Sequence, residues 1–152
     1  MKIFDCTTYY NENLMLEVRF NILNKYIDKF VIAEAKYSHS GKKKELNFNI
    51  NKFAEFKKKI IYLTIDDEPE SIVYQKKNNT FFENETDKRT NSIKRINHQR
   101  DRLIDGLVDA EDDDYILYSD DDEIPNLENF NFIKNKSKIL IFKQKLFYYK
   151  FN

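Results

Sequence analysis

The chain has 152 residues, with 26 acidic and 26 basic side chains and no net formal charge at pH 7. That length holds one domain with a real core, and balanced charge excludes a global field drawing the chain to nucleic acid or to an anionic membrane. An apolar share of 41%, with 13 Phe and 10 Tyr, excludes a disordered chain. The lone Cys6 forms no internal disulfide, which with the lack of a signal-type or membrane-length apolar run leads us to expect a cytoplasmic chain. Sequons at Asn78, Asn84 and Asn135 are expected by chance in a chain this rich in Asn.

Lys2 to Cys6 reads as a first strand and Thr7 to Asn11 as the turn after it. From Glu12 to Tyr26 apolar residues recur at Leu14, Val18, Ile22 and Tyr26, with Met15 and Leu23 beside them, which is helical spacing. A second strand, Lys29 to Ala33, ends at Glu34, so the opening is a β-α-β unit with a parallel pair. A polar loop, Ala35 to Glu45, and a short helix, Asn51 to Lys58, precede a third strand from Ile60 to Ile65. Asp66 to Arg89 reads as a long mobile loop. Thr90 to Val108 returns to helical spacing through Ile93, Ile96, Arg100, Leu103, Ile104 and Leu107. A fourth strand starts at Tyr115, a short helix is expected over Leu127 to Ile133, and a β run over Lys138 to Tyr149. Strands alternating with helices predict a single domain with a doubly wound α/β sheet.

The most informative stretch is Tyr115-Ile116-Leu117-Tyr118-Ser119-Asp120-Asp121-Asp122-Glu123-Ile124-Pro125. A buried strand delivers four carboxylates to its carboxyl end, where open α/β sheets bind ligands. An acidic run is ordinarily a solvated loop; the strand before it, the Pro after it and the one-residue gap between Asp120 and Asp122 argue otherwise. An EF-hand loop is excluded, because its sixth and twelfth positions, counted from Asp120, hold Pro125 and Asn131 instead of Gly and Glu. An aspartyl-phosphate phosphatase places its Asp-x-Asp on the first strand, which Asp120 is not. The remaining reading is Mg²⁺ or Mn²⁺ held by Asp120 and Asp122 against a nucleotide diphosphate. Asp121, the middle residue, is expected to point to the other face.

Asn11-Glu12, Leu16-Glu17-x-Arg19, Asp28-x-Phe30-Val31-Ile32-x-Glu34, His39-Ser40-Gly41-x-x-Lys44, Gln99-Arg100-Asp101 and Ser119-Asp120-x-Asp122-Glu123-Ile124-Pro125 stand in order along the chain. This series resembles glycosyltransferase family 17, which contains the bisecting β-1,4-N-acetylglucosaminyltransferases. The resemblance implies a GT-A-type, Rossmann-like nucleotide-sugar-binding fold with a mostly parallel sheet and helices on both faces. It further implies a UDP-sugar donor, Mn²⁺ or Mg²⁺, a glycan or glycoconjugate acceptor, and inversion at the anomeric carbon. Members of the family continue past the segment matched by Phe147-Tyr148-Tyr149-x-x-Asn152, so a missing C-terminal acceptor portion is expected. The general base of such folds commonly lies in that later region, and none is named here.

Other candidates follow from position. Glu34, at the end of the second strand, is placed to accept from ribose hydroxyls or the base, and Thr7, Thr8 and Tyr9 to line the same nucleoside region. Arg100 shares an apolar helix face and needs a carboxylate or phosphate there, an ion pair with Asp120 being the structural alternative. Glu17 and Arg19 are expected to be structural. Arg95, His98 and Arg102 read as surface residues, and Lys44 as a residue within reach of a phosphate. His39, His98 and Cys6 lack the spacing of a zinc site. The alternatives to a transferase are a non-catalytic nucleotide-sugar-binding chain and a magnesium phosphatase.

Overall fold

A computed structural model describes residues 1–74, 79–135 and 137–145. Its framework is a four-stranded, all-parallel sheet in the order β3-β2-β1-β4, with β1 at Ile3–Thr8, β2 at Lys29–Ala35, β3 at Ile60–Ile65 and β4 at Tyr115–Tyr118. The long helices are α1, Asn13–Leu23, and α2, Phe81–Asp101; shorter 3-10 turns span Ile50–Phe56 and Arg102–Gly106. The expected α/β class with helices on both faces is therefore observed. No helix among the described residues is long and apolar enough to cross a membrane.

Alternation along the strands sorts two cores. Ile3, Phe30, Ile32 and Leu117 face α1 and the Ile50–Phe56 turn, where Phe20 meets Phe30, Phe53 and Phe56 at ring separations of 4.5, 5.2 and 5.3 Å. Phe4, Cys6, Val31 and Ala33 face the opposite way, toward Leu103. The second 3-10 turn reaches the sheet only because Gly106 has no side chain: a Cβ there would lie 2.4 Å from Val31 Cγ1. Burial and the neighbouring Asp5 carboxylate push the Cys6 thiol up to about 12, which removes it as a nucleophile at neutral pH.

Both helices turn unexpected faces inward. The expected stripe of α1 is outermost, with Leu14 76% exposed and Val18 and Ile22 also exposed, while Leu16, Arg19, Phe20 and Leu23 are buried. The reason is Asp5, a carboxylate inside β1. Arg19 Nε and Nη2 donate to its two oxygens at 2.8 and 2.7 Å, and both side chains are fully buried. A two-pronged arginine–carboxylate pair satisfies both charges, so Phe20 and its neighbours enter the core with the charged residue between them.

Helix α2 starts well before Thr90, set by a capping box in which Thr80 and Glu83 satisfy each other's backbone N–H groups. It ends at Asp101, short of the expected Val108. Phe81 to Arg89, expected as loop, is helical, whereas 66–74 is irregular and 75–78 lie outside the described residues. Its buried residues are Asn91, Arg95 and Gln99, and Ile93 is exposed. Arg95, read as a surface residue, is buried with its guanidinium against Gly41, whose φ of 84° favours glycine. Residues 127–133 form turns where a short helix was expected, and 138–145 form no strand; 146–149 of that expected run lie outside the described residues.

Two stability changes follow. Asp5→Leu strands the buried Arg19 charge and is expected to cost about 3–5 kcal/mol in urea unfolding, with Asp5→Leu/Arg19→Met recovering much of the loss; a single-mutant cost under about 1 kcal/mol would contradict a buried pair. Gly106→Ala is expected to cost about 1–3 kcal/mol through overpacking against Val31, and an unchanged urea midpoint would show that the turn simply moves away.

Candidate functional site

Strand order advances from β1 through β2 to β3, then crosses back to place β4 on the other side of β1. The loops leaving β1 and β4 therefore meet at the carboxyl end of the sheet beside the switch in strand order, which is where an open parallel sheet binds ligands. A cleft of about 270 Å³ occupies that place. Thr8 lines it from the end of β1, Tyr10 and Glu12 from the loop that follows, Tyr37, His39 and Lys44 from the loop after β2, and Gln99 and Arg100 from α2. Asp120, Asp121 and Asp122 form the remaining wall. A larger open cleft of about 1720 Å³ runs between β4 and residues 137–145, and Asp120 and Asp122 border it too. The smaller one matters more for chemistry, because the loops of several strands converge there.

Arg19 positions the acidic wall. Its Nη1 donates to the Asp120 carbonyl oxygen at 2.8 Å and more distantly to those of Asp121 and Glu123, both at 3.4 Å. Nη2 also donates to Ser119 Oγ at 2.8 Å, and that hydroxyl donates to the Glu123 carbonyl oxygen at 2.8 Å. One buried guanidinium thus ties β1 to the turn that follows β4. The structural part expected of Arg19 is observed, and it extends to the acidic turn, which the sequence did not show. The available signal was Asp5: a charge among Ile3, Phe4 and Cys6 demands a buried partner.

The carboxylates of the wall are held in different ways. Arg100 Nη2 donates to both oxygens of Asp120, at 2.9 and 3.1 Å, and its guanidinium lies 5.7 Å from the centre of the Tyr118 ring. This is the ion pair weighed as the structural alternative for Arg100. Asp122 is exposed. Asp121 lines the cleft instead of pointing away, because β4 ends at Tyr118 and the acids lie in a turn where strand alternation no longer applies. Among the described residues its Oδ2 is buried without a hydrogen-bond partner, and burial, then Glu12, then Asp122 push its carboxyl up to about 6.

Thr8 lines the cleft, whereas Thr7 is fully buried with its hydroxyl 3.4 Å from the Thr8 carbonyl oxygen. Glu34 is also fully buried. Lys44 Nζ, the Asn47 and Phe48 backbone N–H groups and the Tyr62 hydroxyl all donate to it, so a nucleoside reaches none of its oxygens without displacing one of these donors. Glu34 thereby fixes residues 44–48, and Asn47 Nδ2 carries the tie on to the Tyr10 carbonyl oxygen at 2.8 Å. Across the cleft, Gln99 donates to the Tyr37 carbonyl oxygen at 3.2 Å and meets His39 Nε2 at 3.3 Å, which seats the loop on α2.

Among the described residues, no group of three or more His, Cys, Asp and Glu side chains is placed to hold a metal ion. The acidic wall does suit an ion that arrives with a phosphate ligand, since Mg²⁺ binds through one or two carboxylates plus phosphate oxygens and water. The unpartnered Asp121 oxygen is the observation that favours added positive charge.

Because the fold raises the Asp121 carboxyl from an ordinary 3.8 to about 6, that group's stabilising contribution is complete below 3.8 and is lost as pH rises through about 6. Asp121→Asn is therefore expected to stabilise the chain at pH 8, with the gain shrinking as pH falls through 6 and vanishing below 3.8. Urea unfolding at several pH values checks this, and a gain independent of pH would contradict it.

No curated protein and no solved structure matches the chain. The family model described as glycosyltransferase family 17 matches residues 1–152, the full length of the sequence. The parallel sheet with its helices accords with that match, and the chain belongs to glycosyltransferase family 17.

Proposed function

We propose that this chain binds a UDP-sugar in the cleft beyond β1 and β4 and takes part in inverting transfer of the sugar, with N-acetylglucosamine the first candidate, to a hydroxyl of a glycan or glycoconjugate. The observation that carries the reading is the acidic turn pinned by Arg19 at the point where strand order reverses. Anionic ligands with a metal ion suit such a turn, and the neighbouring arginine, Arg100, is within the same cleft.

Asp120 and Asp122 are the residues we assign to Mn²⁺ or Mg²⁺, and the bound ion would supply charge neutralisation for the departing diphosphate. The rest is the work of the chain itself. Arg19 holds the turn's backbone so that its carboxylates face the cleft. Thr8 and Tyr10 offer a hydroxyl and a ring to the nucleoside. Glu34 and Thr7 act indirectly in this reading, Glu34 by fixing the loop of residues 44–48 and Thr7 by packing beneath Thr8. Arg100 offers its guanidinium to phosphate oxygens, for which arginine's planar fork is suited.

Calorimetric titration of UDP and UDP-N-acetylglucosamine, with and without Mn²⁺, tests the proposal. Metal should strengthen binding, and Asp122→Asn should weaken the metal-dependent part by about tenfold or more, equivalent to about 1.4 kcal/mol. Equal UDP affinity with and without Mn²⁺ would overturn the metal assignment. Metal-dependent binding with no sugar release or transfer would favour a nucleotide-sugar-binding role without catalysis, and phosphate release from monoesters would favour a phosphatase.

A further inference from the structure

Asp120 is gripped by two arginines at opposite ends, and the grips differ in kind. Its carbonyl oxygen accepts from Arg19, a side chain with no solvent exposure whose three nitrogens are all engaged. Its carboxylate accepts from Arg100 Nη2 alone, in a pair whose side chains are 38% and 46% exposed. Among the described residues Arg100 Nε and Nη1 have no hydrogen-bond partner. A buried, fully engaged guanidinium is a fixture. A half-exposed one with idle donors, lining a cleft, exchanges partners at small cost because water screens what it leaves.

We infer that Arg100 is a partner-switching positioning residue: in the empty cleft it neutralises Asp120, and an entering diphosphate takes its guanidinium and thereby frees the Asp120 carboxylate for a divalent cation. This inference rests on the diphosphate-binding reading above and adds to it an order of events. A phosphate group competes well for the guanidinium, since the planar fork donates to two of its oxygens through two nitrogens where Asp120 now meets a single nitrogen. Once Arg100 turns away, Asp120 keeps its backbone position, because Arg19 still holds the carbonyl. The carboxylate is then both unpaired and fixed in place, beside Asp121 and Asp122. Coupling of this kind is reciprocal: diphosphate raises metal affinity by the factor by which metal raises diphosphate affinity.

Direct coordination of metal by phosphate also produces synergy, so the informative measurement uses each ligand separately. Wild type, Arg100→Gln and Arg100→Lys are titrated with Mn²⁺ alone, with pyrophosphate alone, and with UDP plus Mn²⁺. Arg100→Gln removes the resting partner of Asp120 and is expected to bind Mn²⁺ alone about threefold or more tighter, while binding pyrophosphate about tenfold weaker. Arg100→Lys keeps the charge without the fork and should fall between wild type and the Gln variant in both. These opposite signs are the signature, since a merely structural arginine would weaken both ligands or neither. Unchanged Mn²⁺ affinity in Arg100→Gln, or parallel loss of both ligands, overturns the inference. Should Arg100→Gln fail to give a wild-type thermal melt, the Lys variant decides by the same two signs. If pyrophosphate obeys the pattern but UDP binds no better than pyrophosphate, the nucleotide reading fails and the switch stands. If wild type binds none of the ligands, both fail.

Discussion

The buried pairing of Arg19 with Asp5 is the constraint on which the rest of this molecule depends. It sets the inward face of α1, because a carboxylate in the middle of β1 calls the arginine into the core and brings Leu16, Phe20 and Leu23 with it. It sets the acidic turn, because the guanidinium nitrogens go on to carbonyl oxygens of Asp120, Asp121 and Glu123 and to the Ser119 hydroxyl. A buried ion pair is a weak source of net stability against an apolar replacement, but breaking one half is costly. Its value here is geometric: one planar group reads the position of β1, α1 and the turn after β4 simultaneously.

The cleft then divides labour between fixed and exchangeable charges. Glu34 and Arg19 are wholly internal, each satisfied by several partners, and they hold loops in register. Asp122 and the Arg100–Asp120 pair face solvent and carry the charge that a ligand meets first. Asp121 belongs to neither group. It is half-buried, repelled by Glu12 and Asp122, and among the described residues lacks a partner for one oxygen. Such a group is a local cost in the empty protein that positive charge in the cleft relieves.

Much of the fold was readable from the chain. Buried parallel strands appear as short continuous apolar runs, and the third strand, Ile60–Ile65, was located to the residue. The turn that carries the acids was likewise legible, since the apolar run before it and Pro125 after it bound a strand end. The helix faces were harder. In α1 the stripe of Leu14, Val18 and Ile22 competes with that of Leu16, Phe20 and Leu23, and hydropathy alone counts Arg19 against the true face. In α2 the inward residues are Asn91, Arg95 and Gln99, which serve hydrogen bonds to two loops, so the apolar period that includes Ile93 does not mark the buried face. Glu34 read as a free acceptor because its donors come from Lys44, Asn47, Phe48 and Tyr62, residues that a linear reading does not bring together.

The strand order has a consequence for how the molecule is made. Strand β1 comes first along the chain, and its second neighbour, β4, is the last described strand, so their junction joins residues 112 positions apart, as in the Lys2–Asp114 contact. Until β4 emerges during synthesis, β1 has a bare edge, and Arg19 lacks the turn oxygens that complete its shell. Long-range parallel pairing of this sort is slow to form and leaves partly built sheets open to association. Among the described strands the crevice is therefore completed after the β3-β2-β1 part of the sheet, and in that interval the bare β1 edge is a site of association.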